Sequence, residues 1–421
     1  MVAPHLPLPI ARPAVVADLR QAVLTLTEAL DCVGVDDTHH GQRVAFMVMQ
    51  LAGPAGLGPH ARERLARAGL LHDCGVSSSS QRRGLLASGL HSTSDDHCER
   101  GARLVAGVPA LENLAPLVLH HHTPWAVLER AQLSGEDALL ANALFLCDRV
   151  DALRVTLRES GMHGDESLVL HALRRHRGDL FAPGLVDALH DIATPAFWDG
   201  QTPDALRAWW SAWLAQEACP IGTLEVRQLA RLFAHVVDAK SHFTAEHSDG
   251  VARLSLLLAG ELRLPAERRF RLEVAALLHD IGKLKVPDKL LDKPGPLDER
   301  ERALVERHPT DTHALLSRID GFSEIAVWAG LHHAGLNGSG YAFEGAPAEL
   351  PLEARIISVA DVFQALAQDR PYRPSLPPDR VVSMLWEDVR NQRLDGDVVE
   401  AAMRSPDRSW QAAVHARPAR S

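Results

Sequence analysis

The chain has 421 residues, a formal net charge of -10 at pH 7, 46% hydrophobic residues and 5% aromatics. A balance this acidic excludes a surface that holds duplex nucleic acid by phosphate neutralisation, but not a small anion held beside a metal ion. The five cysteines are scattered without a CxxC pair, as suits a reducing compartment. No run reaches the roughly 18 apolar residues that cross a bilayer, and the N-terminus lacks a secretory layout, so a cytoplasmic protein off the membrane is expected.

The length allows two domains of about 150 residues each, and Ala- and Leu-rich runs at helical spacing predict an almost all-α chain. A proline-rich tail covers residues 1–13, and a helix is predicted from about Ala14 to Cys32. The segment Asp36, Asp37, Thr38, His39, His40 leads into a helical run that ends in Leu70, Leu71, His72, Asp73. His97, the run His120, His121, His122, and Asp148 follow. Trp198, Trp209, Trp210 and Trp213 mark residues 196–222 as a packed connector between a first unit, 14–195, and a second, 223–421. In the second unit the same order returns: His247, then Leu277, Leu278, His279, Asp280, then His308, His332, His333 and Asp361.

The intervals identify a duplication. His40 to His72 and His247 to His279 are both 32 residues; His72 to His97 is 25 against 29 for His279 to His308. His97 to His120 is 23 against 24 for His308 to His332, and His120 to Asp148 is 28 against 29 for His332 to Asp361. Residues of metal-ligand type, in one order and differing only by loop lengths, predict one helical unit present twice.

The surroundings favour metal ions. Val251, Leu254, Leu258 and Leu262 share a helix face, and His247 lies one turn before Val251, so it points inward. Asp280 ends an apolar helix and Asp361 follows Ile356, Ile357, Val359 and Ala360; a carboxylate there needs a cation partner. Imidazole with carboxylate suits iron, manganese, zinc or nickel. Seven such residues exceed the three or four protein ligands of one catalytic ion, so two are expected, with Asp280 able to bridge ions roughly 3.5 to 4 Å apart. Lone histidines such as His235, His242 and His313 are read as ordinary hydrogen-bonded residues.

Residues 247 to about 400 resemble the HD-GYP family, bacterial cyclic di-GMP phosphodiesterases of the HD superfamily. The segments that carry the likeness are HSDGVARLSLLLAGEL, AALLHDIGKLKVPDKLLDKPGPL, ERHP, HHAGLNGSGYAFEG and LPLEARIISVADVFQALAQDRPYR. The resemblance implies tandem HD-type helical bundles, and His247, His279, Asp280, His308, His332, His333 and Asp361 as ligands of an iron or manganese pair. It implies Lys283 beside the scissile phosphate, Arg370 and Arg373 on substrate phosphates, and Gly340 and Tyr341 of the signature loop as substrate-binding. The implied reaction is attack of a metal-activated hydroxide on a cyclic dinucleotide, with Asp280 and Lys283 catalytic.

Three positions depart from the family pattern: Ala334 replaces Glu, Asn337 replaces Asp and Ala342 replaces Pro. Phe243 stands where three-metal members carry Glu. The substrate is therefore read as cyclic di-GMP or 3′,3′-cyclic GMP-AMP, since relatives acting on the latter share this two-half layout. The alternatives are a weakly catalytic cyclic-dinucleotide receptor signalling through a partner, and an HD nucleotidase for another nucleotide. A homodimer is compatible with any of them.

His40, His72, Asp73, His97, His120, His121 and Asp148 form the corresponding set in the first unit. No lysine follows at the position of Lys283, and Thr123, Pro124, Trp125 replace the Gly-Tyr loop. This HD-like unit is expected to bind metal without efficient turnover and to be regulatory. Cys74, Cys98 and Cys147 each adjoin a proposed ligand; neighbours on a helix point about 100° apart, so they are read as buried fillers, with an oxygen-responsive site as the alternative.

Overall fold

The computed structural model describes residues 17–31, 39–78, 81, 84–85, 90, 95–131, 133–162, 165–240, 246–369 and 374–414. Among these, helices account for nearly all regular structure. The exception is a two-stranded antiparallel pair, β1 (Ala17–Asp18) with β2 (Pro220–Ile221). The predicted first helix is thus shortened at its start, where Ala17 and Asp18 pair with the beginning of the second half instead.

The two halves repeat one helical plan. In the first, α1 (Leu19–Asp31), α2 (His40–Ala52), α3 (Pro59–Leu71), α4 (Asp95–Ala106), α5 (Ala115–His120) and α6 (Gly135–Glu159) follow in order. In the second, α7 (Thr223–Lys240), α8 (His247–Glu261), α9 (Ala266–Leu278), α10 (His308–Leu316), α11 (Ser323–Gly330) and α12 (Leu352–Ala367) repeat them, and α13 (Pro378–Arg390) is added. Each half brings ligand-type side chains to the ends of four helices and to the middle of a fifth.

The amphipathic pattern explains the packing. Val44, Ala45, Val48, Leu51 and Ala52 on α2 and Val251, Leu254 and Leu258 on α8 are fully or almost fully buried, and the two halves share one continuous apolar core. Gly69 shows how closely α3 approaches α2, because a Cβ there would lie 2.6 Å from Ala45 Cα. The Trp-rich stretch is helical at Pro195–Asp199 and Pro203–Leu214. Trp210 and Trp213 are buried, and Trp209 meets Phe46 of α2 edge to face at 5.3 Å.

Helix α1 touches both halves. It packs on α2 and α3, and also on α10 and on the 3₁₀ turn Ile281–Lys285. Arg318 pairs with both carboxylate oxygens of Glu28, and Asp320 N–H donates to Gln21 Oε1 at 2.9 Å.

Candidate metal centre

In the second half, Glu246 sits in the left-handed region (φ 77, ψ 9), a conformation uncommon outside glycine, and this turn starts α8 with His247 facing inward. Asp238, at the end of α7, accepts from Ser248 N–H at 3.1 Å and from its hydroxyl at 2.8 Å. Helix α9 stops at Leu278, placing His279 and Asp280 at its end, and the chain turns sharply through Gly282. A Cβ on Gly282 would stand 2.1 Å from the His308 carbonyl oxygen, so only glycine lets this turn meet the start of α10. His332 and His333 follow α11, and Asp361 projects from the middle of α12.

These side chains converge. Asp280 Oδ2 lies 3.7 Å from His247 Nε2 and 3.3 Å from His279 Nε2, while Oδ1 lies 3.2 Å from His308 Nε2 and 3.7 Å from His332 Nε2. One carboxylate thus faces two histidine pairs with its two oxygens. Asp361 spans the same gap from the other side, with Oδ1 at 3.4 Å from His247 Nε2 and Oδ2 at 4.0 Å from His333 Nδ1.

The donor chemistry fits metal ions. Nδ1–H of His247 donates to Gln364 Oε1 at 2.6 Å, and Nδ1–H of His279, His308 and His332 donates to the carbonyls of Ala276, Val305 and Ala329 at 2.8, 2.7 and 2.6 Å. A carbonyl can only accept, so each of these rings turns Nε2 toward the centre, as histidine ligands do. His279 Nε2 and Asp280 Oδ1 are buried and make no hydrogen bond, a costly arrangement without a cation.

Electrostatics point the same way. Burial opposes charge on Asp280, yet His279 and Lys283 outweigh it and hold the carboxyl well below its ordinary range. Against the cost of burial, the Asp280 carboxylate raises His279 to about 9. Burial pushes His247 and His333 down to about 4.

Lys283 Nζ stands 2.5 Å from Asp280 Oδ2 and is 25% exposed, on the side where His333 (29%) and Asp361 (13%) also meet solvent. The signature loop closes through a bridge between Ala334 and Gly340. Gly340 has φ +81, and a Cβ there would lie 2.0 Å from the His333 carbonyl oxygen. Tyr341 packs its ring 5.0 Å from that of His333, and burial pushes its phenol up to about 12. Asn337 accepts from Ser339 N–H through Oδ1 at 2.8 Å and donates through Nδ2 to the Asn391 carbonyl at 2.8 Å. An ionised aspartate could make only the first of these bonds, so this departure adds a side-chain tie to the backbone bonds that Leu336 and Asn337 N–H make to the Arg393 and Gln392 carbonyls beyond α13. Arg370, Arg373 and Phe243 lie outside the described residues, as does His242. His235 pairs with Asp249 at 2.9 Å and His313 stacks on Phe343, both apart from the centre.

The first half repeats the geometry with one correction. Asp73 Oδ2 lies 3.7 Å from His40 Nε2 and 3.6 Å from His72 Nε2, and its Oδ1 lies 3.8 Å from both His97 Nε2 and His121 Nε2. Asp148 reaches His40 at 3.4 Å and His122 at 3.5 Å. His120 is not part of the cluster; its Nδ1 turns to Thr123 Oγ1 at 3.2 Å, half-buried. A one-residue step turns the side chain by about 100°, so His121 and His122, not His120 and His121, correspond to His332 and His333. The interval from His97 to His121 is then 24, equal to that from His308 to His332.

Several partners are visible only in three dimensions. Asp31 accepts from Gly41 N–H at 2.8 Å, as Asp238 does from Ser248, and each precedes the first cluster histidine of its half, His40 or His247, by nine residues. Nδ1 of His40 is 2.7 Å from Asp151, itself gripped by Arg43 at 2.6 and 2.8 Å, where the second half uses the neutral Gln364. Buried Arg149 holds Asp148 Oδ2 at 2.7 Å; Val362 occupies the matching position. Burial pushes the thiol of Cys74 up to about 12 and raises that of Cys147, as expected of fillers. Cys98 differs: although burial opposes ionisation, His121 and His97 bring its thiol down to about 7, and Sγ is 3.5 Å from His97 Nε2.

An all-α fold with two convergent histidine and aspartate centres defines a metal-dependent HD-type protein. The HD domain family matches residues 38–153 and again 231–398. The chain is 36% identical over 414 residues to the 3′3′-cGAMP-specific phosphodiesterase 1 of Vibrio cholerae, covering 95% of each chain. It is 36% identical over 182 residues, 43% of this chain and 48% of the relative, to the cyclic di-GMP phosphodiesterase response regulator RpfG of Xanthomonas campestris. The crystal structure of the V. cholerae cyclic GMP-AMP-specific phosphodiesterase V-cGAP3 superposes with a TM-score of 0.61 at 26% identity, over 96% of this chain and 99% of that one. The chain belongs to the HD-GYP family, with two HD domains in tandem.

Proposed function

We propose that the second half, from about residue 223, hydrolyses a phosphodiester bond of a cyclic dinucleotide, with 3′,3′-cyclic GMP-AMP as the preferred substrate over cyclic di-GMP. The observation that carries the reaction is Asp280, whose two oxygens face separate histidine pairs around a solvent-accessible rim. The likeness to a 3′3′-cGAMP-specific enzyme over 95% of both chains supports the substrate.

His247, His279, Asp280, His308, His332, His333 and Asp361 would hold two ions, and the nitrogen and oxygen donors suit iron or manganese. Such a pair supplies Lewis acidity toward the phosphoryl oxygens and a water of lowered pKa. The chain's own groups do the rest. Lys283, a quarter exposed and paired with Asp280, would donate to a phosphate oxygen as charge develops there. Tyr341, with its proton held by a raised pKa, is a neutral donor and a stacking face beside His333. Gly340 lets the loop pass close to the His333 backbone. Arg370 and Arg373 are assigned to substrate phosphates by their place in the sequence.

The first half, about 14–195, is read as regulatory, joined through the Trp-rich connector at 196–222. Val76 stands where the second half has Lys283, Arg149 occupies Asp148, and His122 and Asp148 are 3% and 4% exposed against 29% and 13% for His333 and Asp361. Helix α1 touches both the first cluster's helices and the turn bearing Lys283, a direct route for coupling.

Anaerobically purified full-length chain, loaded with iron or manganese, is given each cyclic dinucleotide and the products are separated by liquid chromatography. Linear product from 3′,3′-cyclic GMP-AMP at the higher kcat/KM is expected. Tight binding without product would replace the enzyme with a receptor, and turnover of mononucleotides alone would replace it with a nucleotidase.

A further inference from the structure

The first half contains a donor that the second half lacks. Cys98, buried on α4, stands where the second half has Pro309, and no cysteine follows residue 219. Its Sγ is 3.5 Å from His97 Nε2, and His97 Nε2 is 3.3 Å from His121 Nε2; the three donor atoms all lie within 4.8 Å of one another. Asp73 Oδ1 faces both imidazoles at 3.8 Å.

These spacings can be compared with a coordination polyhedron. Zinc-to-nitrogen bonds of about 2.05 Å and a zinc-to-sulfur bond of about 2.3 Å, at tetrahedral angles, separate two nitrogens by about 3.3 Å and nitrogen from sulfur by about 3.5 Å. The His97–His121 and His97–Cys98 distances match both edges. The His121 ring is oriented for the task, with Nδ1–H donating to the Val118 carbonyl at 2.6 Å. The slightly longer edges to Asp73 are those of a carboxylate whose other oxygen serves His40 and His72.

We infer that Asp73, His97, Cys98 and His121 form a closed, four-coordinate site for one zinc-class divalent ion, distinct in chemistry from the all-nitrogen-and-oxygen centre of the second half. A thiolate selects a borderline-soft ion. Four protein donors leave no open position for water, which is the arrangement of structural rather than hydrolytic zinc. The site therefore ties α4 to the ends of α3 and α5, and it does not cleave phosphodiesters.

The test is spectroscopic and independent of hydrolysis. Full-length chain reconstituted with Co²⁺ should show a thiolate-to-cobalt charge-transfer band in the near ultraviolet together with intense tetrahedral d–d bands. The band should vanish in Cys98→Ser and persist in a chain whose other four cysteines are serine. Because the second half has no cysteine, failure of the hydrolase reading would leave this signal untouched. X-ray absorption of the unsubstituted zinc-loaded chain should show a sulfur shell at about 2.3 Å amounting to one sulfur per chain, whatever zinc also fills the second half, a readout that needs no variant to fold. A band that survives Cys98→Ser, or zinc bound with no sulfur scatterer, overturns the inference.

Discussion

Replacing Asp280 by Asn tests the second centre most directly, because it keeps the shape of the side chain and removes the charge. The carboxylate lies 3.2–3.7 Å from four imidazoles, two on each oxygen, and is buried. Asparagine presents one oxygen and one N–H₂ group, so one of the two faces meets a donor instead of a lone pair. Removing one partner of a buried charge pair costs about 3–5 kcal/mol. At 1.4 kcal/mol per tenfold, that weakens at least one ion by a hundredfold or more. Metal content after desalting, by plasma mass spectrometry, should fall from about two ions in the second half to one or none, and kcat/KM should drop by at least the same factor. Asp73→Asn disrupts only the first half and should leave kcat within a few-fold. A chain carrying Asp280→Asn that retains both ions and turns over within tenfold of the parent would refute the bridging role.

Lys283→Met should leave metal content unchanged while lowering kcat by about 10²–10³-fold, the usual cost of one transition-state donor; equal losses in metal and rate would make Lys283 a support for Asp280 only. Gly340→Ala places a Cβ against the His333 carbonyl at positive φ and should raise KM and lower kcat, whereas Gly338→Ala, also at positive φ but with open space around it, should cost only about 1–2 kcal/mol in stability; identical kinetics for the two would argue against the close approach. In chelator-treated protein, burial pushes Asp238 up to about 7, above its unfolded value near 4. The folded chain then binds the extra proton, so the contribution is full below about pH 4 and is lost as pH rises through about 7. Urea midpoints at about pH 5 and pH 8 should shift in favour of Asp238→Asn at the higher pH; a difference independent of pH would refute the assignment.

The sequence by itself determined the helical class and the duplication, because both are written in local order: apolar spacing sets helix faces, and the His-Asp pairs recur at matched intervals along the chain. It also indicated that a His-Asp pair closes one helix in each half, since the apolar runs end in Leu70, Leu71, His72, Asp73 and in Leu277, Leu278, His279, Asp280. Only the tertiary structure decided among neighbours. A run of three histidines offers three directions about 100° apart, and the packing of α5 against α4 turned His121 and His122 inward and His120 out. The exchange of Gln364 for Asp151 as partner of His247 and His40, and the approach of Cys98 to His121, join residues far apart in the chain. Such contacts depend on how helices cross, and a crossing belongs to two segments at once, whereas periodicity reports on one.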